Sequence, residues 1–381
     1  MRKYVLEWGI RLMLVSISIV IGLVIAAFIA EWYFINLQPQ HSITTLKCDN
    51  CTYQFDPIIG YRYPSNVELE QVHPEFHNTR VTNSLGFHDI NLTPVASGQY
   101  RVMILGDSFP EGWQVDPQQR FTDVSRKTLP ENVVLINMAV GGYNNCQERG
   151  ILERYGEIVQ PDLIVLYVYL GNDINGNDDR RTQDNVPNCT MVDDVLRVFP
   201  ADSQRVKLNI FGKMASSHVA RFIKNTITYS PLAMKFRSAT SDLETYTPLA
   251  YYEDTLMPDY SYQINITGKI IRDMDRQART LGAHLVVALI PDGVLADKGI
   301  HDSVLRSYGL DSYSYDASLI ESRLQDAAGL DIEMWDMTPV LRAAQHETGN
   351  ATYYPLNRHF TPYGHQVIAD ELSLLIIRDL S

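Results

Sequence analysis

A surplus of basic residues is missing from this chain of 381 residues: 32 Lys and Arg stand against 45 Asp and Glu, a formal net charge of -13. Binding a phosphate backbone needs a basic footprint, so no nucleic-acid partner is expected. Cysteine is scarce, at 4 residues. Cys48 and Cys51 form one CxxC, but a structural zinc site needs two further ligands at matching spacing, and a second CxxC is lacking. The motif also lies outside any strand-to-helix turn of a βαβ unit, where a redox CxxC belongs. A structural disulfide, or two idle thiols, is the plainer reading. Repeats and low-complexity tracts are absent, and a hydrophobic content of 45% excludes a disordered or fibrous chain. That content suffices for one large core with an accessory segment, or for two modest domains.

Long apolar runs are confined to the N-terminus. Residues 12–30 carry no charge and only Ser16 and Ser18 as polar side chains, about the length that a bilayer core demands. Arg2, Lys3 and Arg11 precede the run, whereas after Glu31 no basic residue occurs until Lys47. The positive-inside rule therefore puts the N-terminus in the cytoplasm and the remainder outside, periplasmic or extracellular. Trp8 on one side and Trp32 with Tyr33 on the other stand where interfacial aromatics belong. No small-x-small pattern lies between Ala26 and Glu31, so the segment reads as an uncleaved single-pass anchor and not as a signal peptide.

Residues 38–100 are rich in Pro, Asn, His and Tyr with little periodicity, and read as an extended, turn-rich lead-in. From 101 the pattern changes. Short apolar runs at 102–105, 133–136, 163–170 and 284–290 read as buried strands, with a possible fifth at 332–335. Helical composition at 121–129, 147–159, 271–281 and 363–377 alternates with them. This alternation predicts the α/β class: a three-layer α/β/α sandwich with a central parallel sheet. The interval from about 174 to 262 is too long for a connection and reads as an insertion. Val219, Phe222, Ile223 and Ile227 at helical spacing before Pro231 make it a helical cap. The expected organisation is an anchor over 1–37, the lead-in over 38–100 and one domain over 101–381.

In open parallel sheets the ligand crevice lies beyond the carboxyl ends of the strands. Three polar clusters fall there: Gly106-Asp107-Ser108, Gly141-Gly142-Tyr143-Asn144 and Gly171-Asn172-Asp173. Each alone is a common turn composition. Together they hold what acyl transfer by serine requires, a hydroxyl near a helix N-terminus and donors for a developing oxyanion. A glycine offers its N–H with no side chain in the way, and an asparagine amide adds another donor. A base is available at His359, in the loop before the last helix. Bland alternatives stand beside each assignment: a serine after a strand often only caps a helix, and an asparagine there often only closes its own turn. His365 reads as a packing residue of the last helix. The Asp178 to Arg181 run reads as a solvated loop, with a calcium site as its rival.

These four clusters, in this order, resemble the conserved blocks of the SGNH or GDSL hydrolase family, over about residue 101 to the C-terminus with the insertion outside. The resemblance implies a flavodoxin-like sandwich and an esterase. It implies Ser108 as nucleophile, His359 as general base, and Gly142 and Asn172 as oxyanion donors, with no cofactor. Asn83 to Asp89 also resembles a stretch that precedes the first block in exported members.

One departure is evident. The family places an aspartate two or three residues before the histidine, and here those positions hold Asn357 and Leu356. An asparagine carbonyl can hold the imidazole tautomer but supplies no charge. The expectation is a membrane-anchored carboxylic ester hydrolase acting on O-acyl, above all O-acetyl, esters of envelope carbohydrate. An O-acyltransferase on an exported polysaccharide and a non-catalytic binding or assembly protein are its rivals. Cys146, just past the oxyanion glycine, is expected to pair with Cys189 in the insertion, and Cys48 with Cys51.

Overall fold

The computed structural model describes residues 53–180, 185–193, 195–202, 247–308 and 318–381, with 45–47, 316 and scattered positions between 8 and 29. The chain divides into two compact units, one of residues 1–45 and 207–239 and the other of residues 46–206 and 240–381. In the first unit, residues 13–19 are helical with their side chains exposed. Among the described residues no helix is long and apolar enough to cross a membrane. The expected span at 12–30 includes positions outside the described residues, as do the expected cap helix at 219–227 and the Cys48–Cys51 pair.

The first strand is β1 (Thr45–Lys47), and in the second unit the hairpins β2 (Gln54–Asp56)–β3 (Gly60–Arg62) and β4 (Glu68–His73)–β5 (Phe76–Val81) follow. β6 (Tyr100–Leu105), β7 (Val133–Asn137) and β8 (Leu163–Tyr169) come next. Then follow β9 (Asn188–Val192), β10 (Val195–Phe199), β11 (His284–Ile290) and β12 (Glu333–Asp336). Five of these form one parallel sheet in the order β12-β11-β8-β6-β7. The apolar runs of β6, β8 and β11 are buried almost end to end, as expected of strands covered on both faces. The chain runs from β6 out to β7 at the sheet edge and then back past β6 to β8, connections that the right-handed rule for parallel strands puts on opposite faces. Helix Asn145–Val159 accordingly packs with Pro258–Thr280, and Pro362–Leu380 with Phe121–Ser125. This is the expected sandwich.

Two regions depart from expectation. Residues 54–81 contain two antiparallel hairpins within the same compact unit as the sheet, and not an extended lead-in. The described part of the insertion contains an antiparallel hairpin, β9–β10, and Pro258 starts the long helix well before the expected position 271. Pro at the first helical turn loses no hydrogen bond. Cys146 and Cys189 are bonded, with Cα atoms 5.7 Å apart, which ties β9 to the start of helix Asn145–Val159.

Candidate active site

The carboxyl end of β6 turns sharply at Gly106, whose φ of +149 excludes a side chain that would strike Pro110 and Tyr167. Asp107 then caps a helix of four residues, Ser108–Glu111, its carboxylate accepting the Phe109 N–H at 3.0 Å. Because Asp107 is the cap, the Ser108 hydroxyl is spared that role. It lies 2.8 Å from Nε2 of His359. The other ring nitrogen, Nδ1, lies 2.9 Å from Oδ1 of Asn357. An amide oxygen only accepts, so Nδ1 carries the proton, and Nε2 presents its lone pair to Ser108. The three residues expected from the sequence are brought together in one chain of hydrogen bonds.

The loop that carries the histidine is held at both ends. Tyr354 donates to the His359 carbonyl at 2.8 Å, and Arg358 donates to the Tyr354 carbonyl at 2.9 Å. Arg358 sits at φ +70, a left-handed conformation that costs energy for a side chain with Cβ and that folds Asn357 back onto the ring two residues on. Phe109 and Trp113 flank the imidazole at centroid distances of 4.6 and 5.4 Å. This apolar wall lowers the pKa of His359 to about 4, by desolvation of the charged form, against the pull of the Asn357 backbone. The ring is therefore neutral at pH 7, the form a general base needs. Asp107 is fully buried, and desolvation pushes its carboxyl up to about 6 against hydrogen bonds from Phe109, Asn172 and Ser108.

Gly142 and Asn172 sit at the ends of β7 and β8 and border one cavity of about 330 Å3. The Gly141 N–H is engaged by the Glu111 carboxylate. Gly142 takes φ +81 with Tyr61 Oη close by, and it is exposed. Asn172 precedes the short helix Asp173–Gly176 but makes no side-chain cap bond, so it does not close its own turn. Its amide instead helps to stabilise the charged Asp107 carboxylate, one residue from Ser108. His365 is buried behind the site, its Nδ1 accepting from the Phe121 N–H at 3.3 Å, a packing residue as expected.

Sequence reasoning missed the layer behind these residues. Glu111 is buried and pairs with Arg80 of β5 at 2.9 Å, with Nε2 of His88, an imidazole that burial keeps neutral, 3.3 Å away. Asn78 of β5 donates to the Trp113 carbonyl at 2.9 Å. Glu75, at the tip of the β4–β5 hairpin, accepts the Leu356 and Asn357 N–H groups at 2.9 and 2.7 Å. Alternation was the available signal, but the inward positions Gln71, Asn78 and Arg80 are polar. Asp178 pairs with Arg180 and Gln263, and Asp179 with Thr190 and Tyr262. Among the described residues no cluster of His, Cys, Asp and Glu could hold a metal ion.

No family model matches the sequence, and no curated protein matches it. Solved structures do. An acetyl xylan esterase, AlAXEase, is 11% identical at a TM-score of 0.38, covering 72% of this chain and 99% of its own. An acetylxylan esterase from Geobacillus stearothermophilus is 10% identical at a TM-score of 0.36, over 76% of this chain and 97% of its own. A lipolytic protein of the G-D-S-L family from Veillonella parvula is 12% identical at 0.36, over 73% and 99%. The structure is similar to GDSL-type esterases. At these identities and TM-scores the likeness carries no inference about the reaction, which rests on the site itself.

Proposed function

We propose that the chain is a serine ester hydrolase that acts through an acyl-serine at Ser108, on O-acyl and above all O-acetyl esters of carbohydrate outside the cytoplasmic membrane. The observation that carries the reading is the continuous chain from Ser108 through His359 to Asn357 at 2.8 and 2.9 Å. In the proposed reaction Ser108 Oγ attacks the ester carbonyl while His359 Nε2 takes its proton. The oxyanion accepts from the Gly142 N–H and the Asn172 amide. His359 returns the proton to the departing alcohol, and water, activated by the same nitrogen, releases the acid.

The carbohydrate part is supported by the cavity beside the oxyanion residues. Among the described residues its wall includes Tyr61, Asn144, Gln147, Asn172, Asn175 and Asn185, with no charged side chain. In a chain of net charge -13, an uncharged wall rich in amides and tyrosine suits a neutral, hydroxyl-rich leaving group better than an acyl tail or an ion. The anchor at 12–30 would hold the enzyme at the membrane with its N-terminus in the cytoplasm; a C-terminal reporter active only in the cytoplasm would overturn that topology.

The test is acetate release from an acetylated polysaccharide and from p-nitrophenyl acetate by the full chain, compared with Ser108→Ala. Loss of both activities in the variant is expected, and an unchanged rate would remove the enzymatic reading. If a deacetylated glycan added as acceptor becomes acylated in place of acetate release, the reaction is transfer and the enzyme an O-acyltransferase.

A further inference from the structure

Asn357 orients the imidazole but brings no charge to the catalytic loop. A carboxylate reaches that loop from a distant part of the chain: Glu75 lies in the two-residue turn between β4 and β5, more than 280 positions earlier in the sequence. Its two oxygens take the N–H groups of Leu356 and Asn357, one each. These are the backbone donors at the residue that holds the ring and at the one before it. Charge-assisted bonds of this kind are short and strong, and without Glu75 two amides of the loop would lose their partner. Glu75 itself is braced, its own N–H donating to His73 Nδ1 at 3.2 Å. Its side chain is 12% exposed.

The same hairpin also grips the nucleophile side. Phe76, next to Glu75, stacks on His73 and meets Trp113 and Tyr354 at centroid distances of 5.7 and 5.3 Å. Trp113 follows the Ser108 helix and flanks His359, and Tyr354 donates to the His359 carbonyl. Further along β5, Asn78 holds the Trp113 carbonyl and Arg80 holds Glu111, the last residue of the Ser108 helix. One rigid ribbon therefore touches both the turn that bears the hydroxyl and the loop that bears the base.

We infer that Glu75 is a positioning residue for the Ser108–His359 pair, and that the β4–β5 hairpin sets the distance between nucleophile and base by clamping the histidine loop through the Leu356 and Asn357 amides. The inference rests on the proposed serine chemistry. Neither of the two catalytic groups touches Glu75, so its effect passes through the loop: without the clamp, Arg358 at φ +70 keeps its bond to the Tyr354 carbonyl but loses the brace on the two residues before it. Titratable groups near the ring include Asp107 beside Ser108 and His365 behind it.

The experiment compares wild type, Glu75→Asp, Glu75→Gln, Glu75→Ala and Ser108→Ala as full chains. It measures kcat and KM on p-nitrophenyl acetate, the rate of Ser108 phosphonylation by a fluorophosphonate, and Tm. Misplacement of a catalytic group by about 1 Å costs on the order of 100-fold in rate, and a smaller shift costs less. Glu75→Ala should therefore lose up to that much in kcat and in phosphonylation, with KM unchanged. Glu75→Gln keeps one acceptor and should fall between, and Glu75→Asp should recover part of the loss. Folded Ala and Gln variants with wild-type kcat and labelling rates would overturn the inference. A loss confined to KM, or one that follows Tm with no recovery in Glu75→Asp, would do the same. Failure of the wild type to label at Ser108 would instead remove the serine chemistry and this inference with it.

Discussion

At the scale of single residues the site depends on which atom holds which proton. Asp107 takes the helix-capping role that a serine in this turn usually fills, and this leaves the Ser108 hydroxyl to His359. Ser108→Ala and His359→Ala should each lower kcat on an activated ester by about three orders of magnitude or more. Asn357→Ala should cost much less, because an uncharged partner contributes orientation alone. These differences are read from kcat on one ester under one condition. The pH profile carries a second expectation. Burial pulls His359 down to about 4, and the active form is the neutral one, so activity is lost only as pH falls through that region. The acid limb of kcat/KM should therefore lie well below 6.5. Asn357→Asp adds a carboxylate beside Nδ1, which favours the imidazolium. Its acid limb should move to higher pH and its neutral-pH rate should rise, and a profile superimposable on wild type would mean that the loop does not present the new carboxylate to the ring.

Among the elements, the β4–β5 hairpin does what a parallel sheet cannot do for itself. Crossover connections leave the carboxyl ends of the strands as open loops, and here a ribbon from outside the sheet closes over them. Its polar inward face meets a buried carboxylate: Arg80 and Glu111 are both nearly inaccessible and 2.9 Å apart. Removing one partner of such a pair strands the other charge, at a cost of about 3–5 kcal/mol. Arg80→Met should therefore destabilise the fold by that order and lower kcat, since Glu111 also holds the Gly141 N–H next to the proposed oxyanion residue. The double variant Arg80→Met, Glu111→Gln should recover part of the lost stability but not the rate. Urea denaturation of the two singles and the double measures the coupling.

For the molecule as a whole, two tests concern what the compact unit contains. A chain beginning at residue 46 keeps all of that unit's N-terminal part and should retain esterase activity in solution. A chain beginning at residue 100 keeps Ser108, Asn357 and His359 but loses Tyr61, Glu75 and Arg80, and should be inactive or unfolded. Circular dichroism with p-nitrophenyl acetate turnover distinguishes the cases. Stability should also depend on pH through a buried acid. Glu148, on helix Asn145–Val159, accepts from Asn145 at 2.7 Å and is pushed by desolvation, with help from Asp107, up to about 8. A carboxyl whose folded pKa is raised binds its proton more tightly when folded, so stability is highest below its ordinary value and declines as pH rises from about 4.5 to about 8. Glu148→Gln keeps an acceptor for Asn145 and removes the charge, and the fall in Tm between pH 5 and pH 8 should shrink in that variant.

Much of this architecture is written locally. The runs at 102–105, 163–170 and 285–290 are apolar on both faces, as strands covered on both sides are, and their alternation with helices makes Ser108, Gly142 and Asn172 candidates for one crevice beyond the strand ends. His359 followed from its place before the last helix, and the Cys146–Cys189 bond from two residues expected at one sheet edge. The hairpins over 54–81 were not legible in the same way. The buried face of β4–β5 carries Asn78 and Arg80, whose cost of burial is met by partners at Trp113 and Glu111. No window of sequence contains both members of such a pair. Hydrophobic burial depends on the residue alone and can be read from its periodicity, whereas a buried polar group is stable only when a partner from elsewhere in the chain arrives. The sequence by itself therefore determined the sheet and the candidates Ser108 and His359, and only the tertiary structure decided that a ribbon from before the first strand of the parallel sheet braces the turn and the loop that carry them.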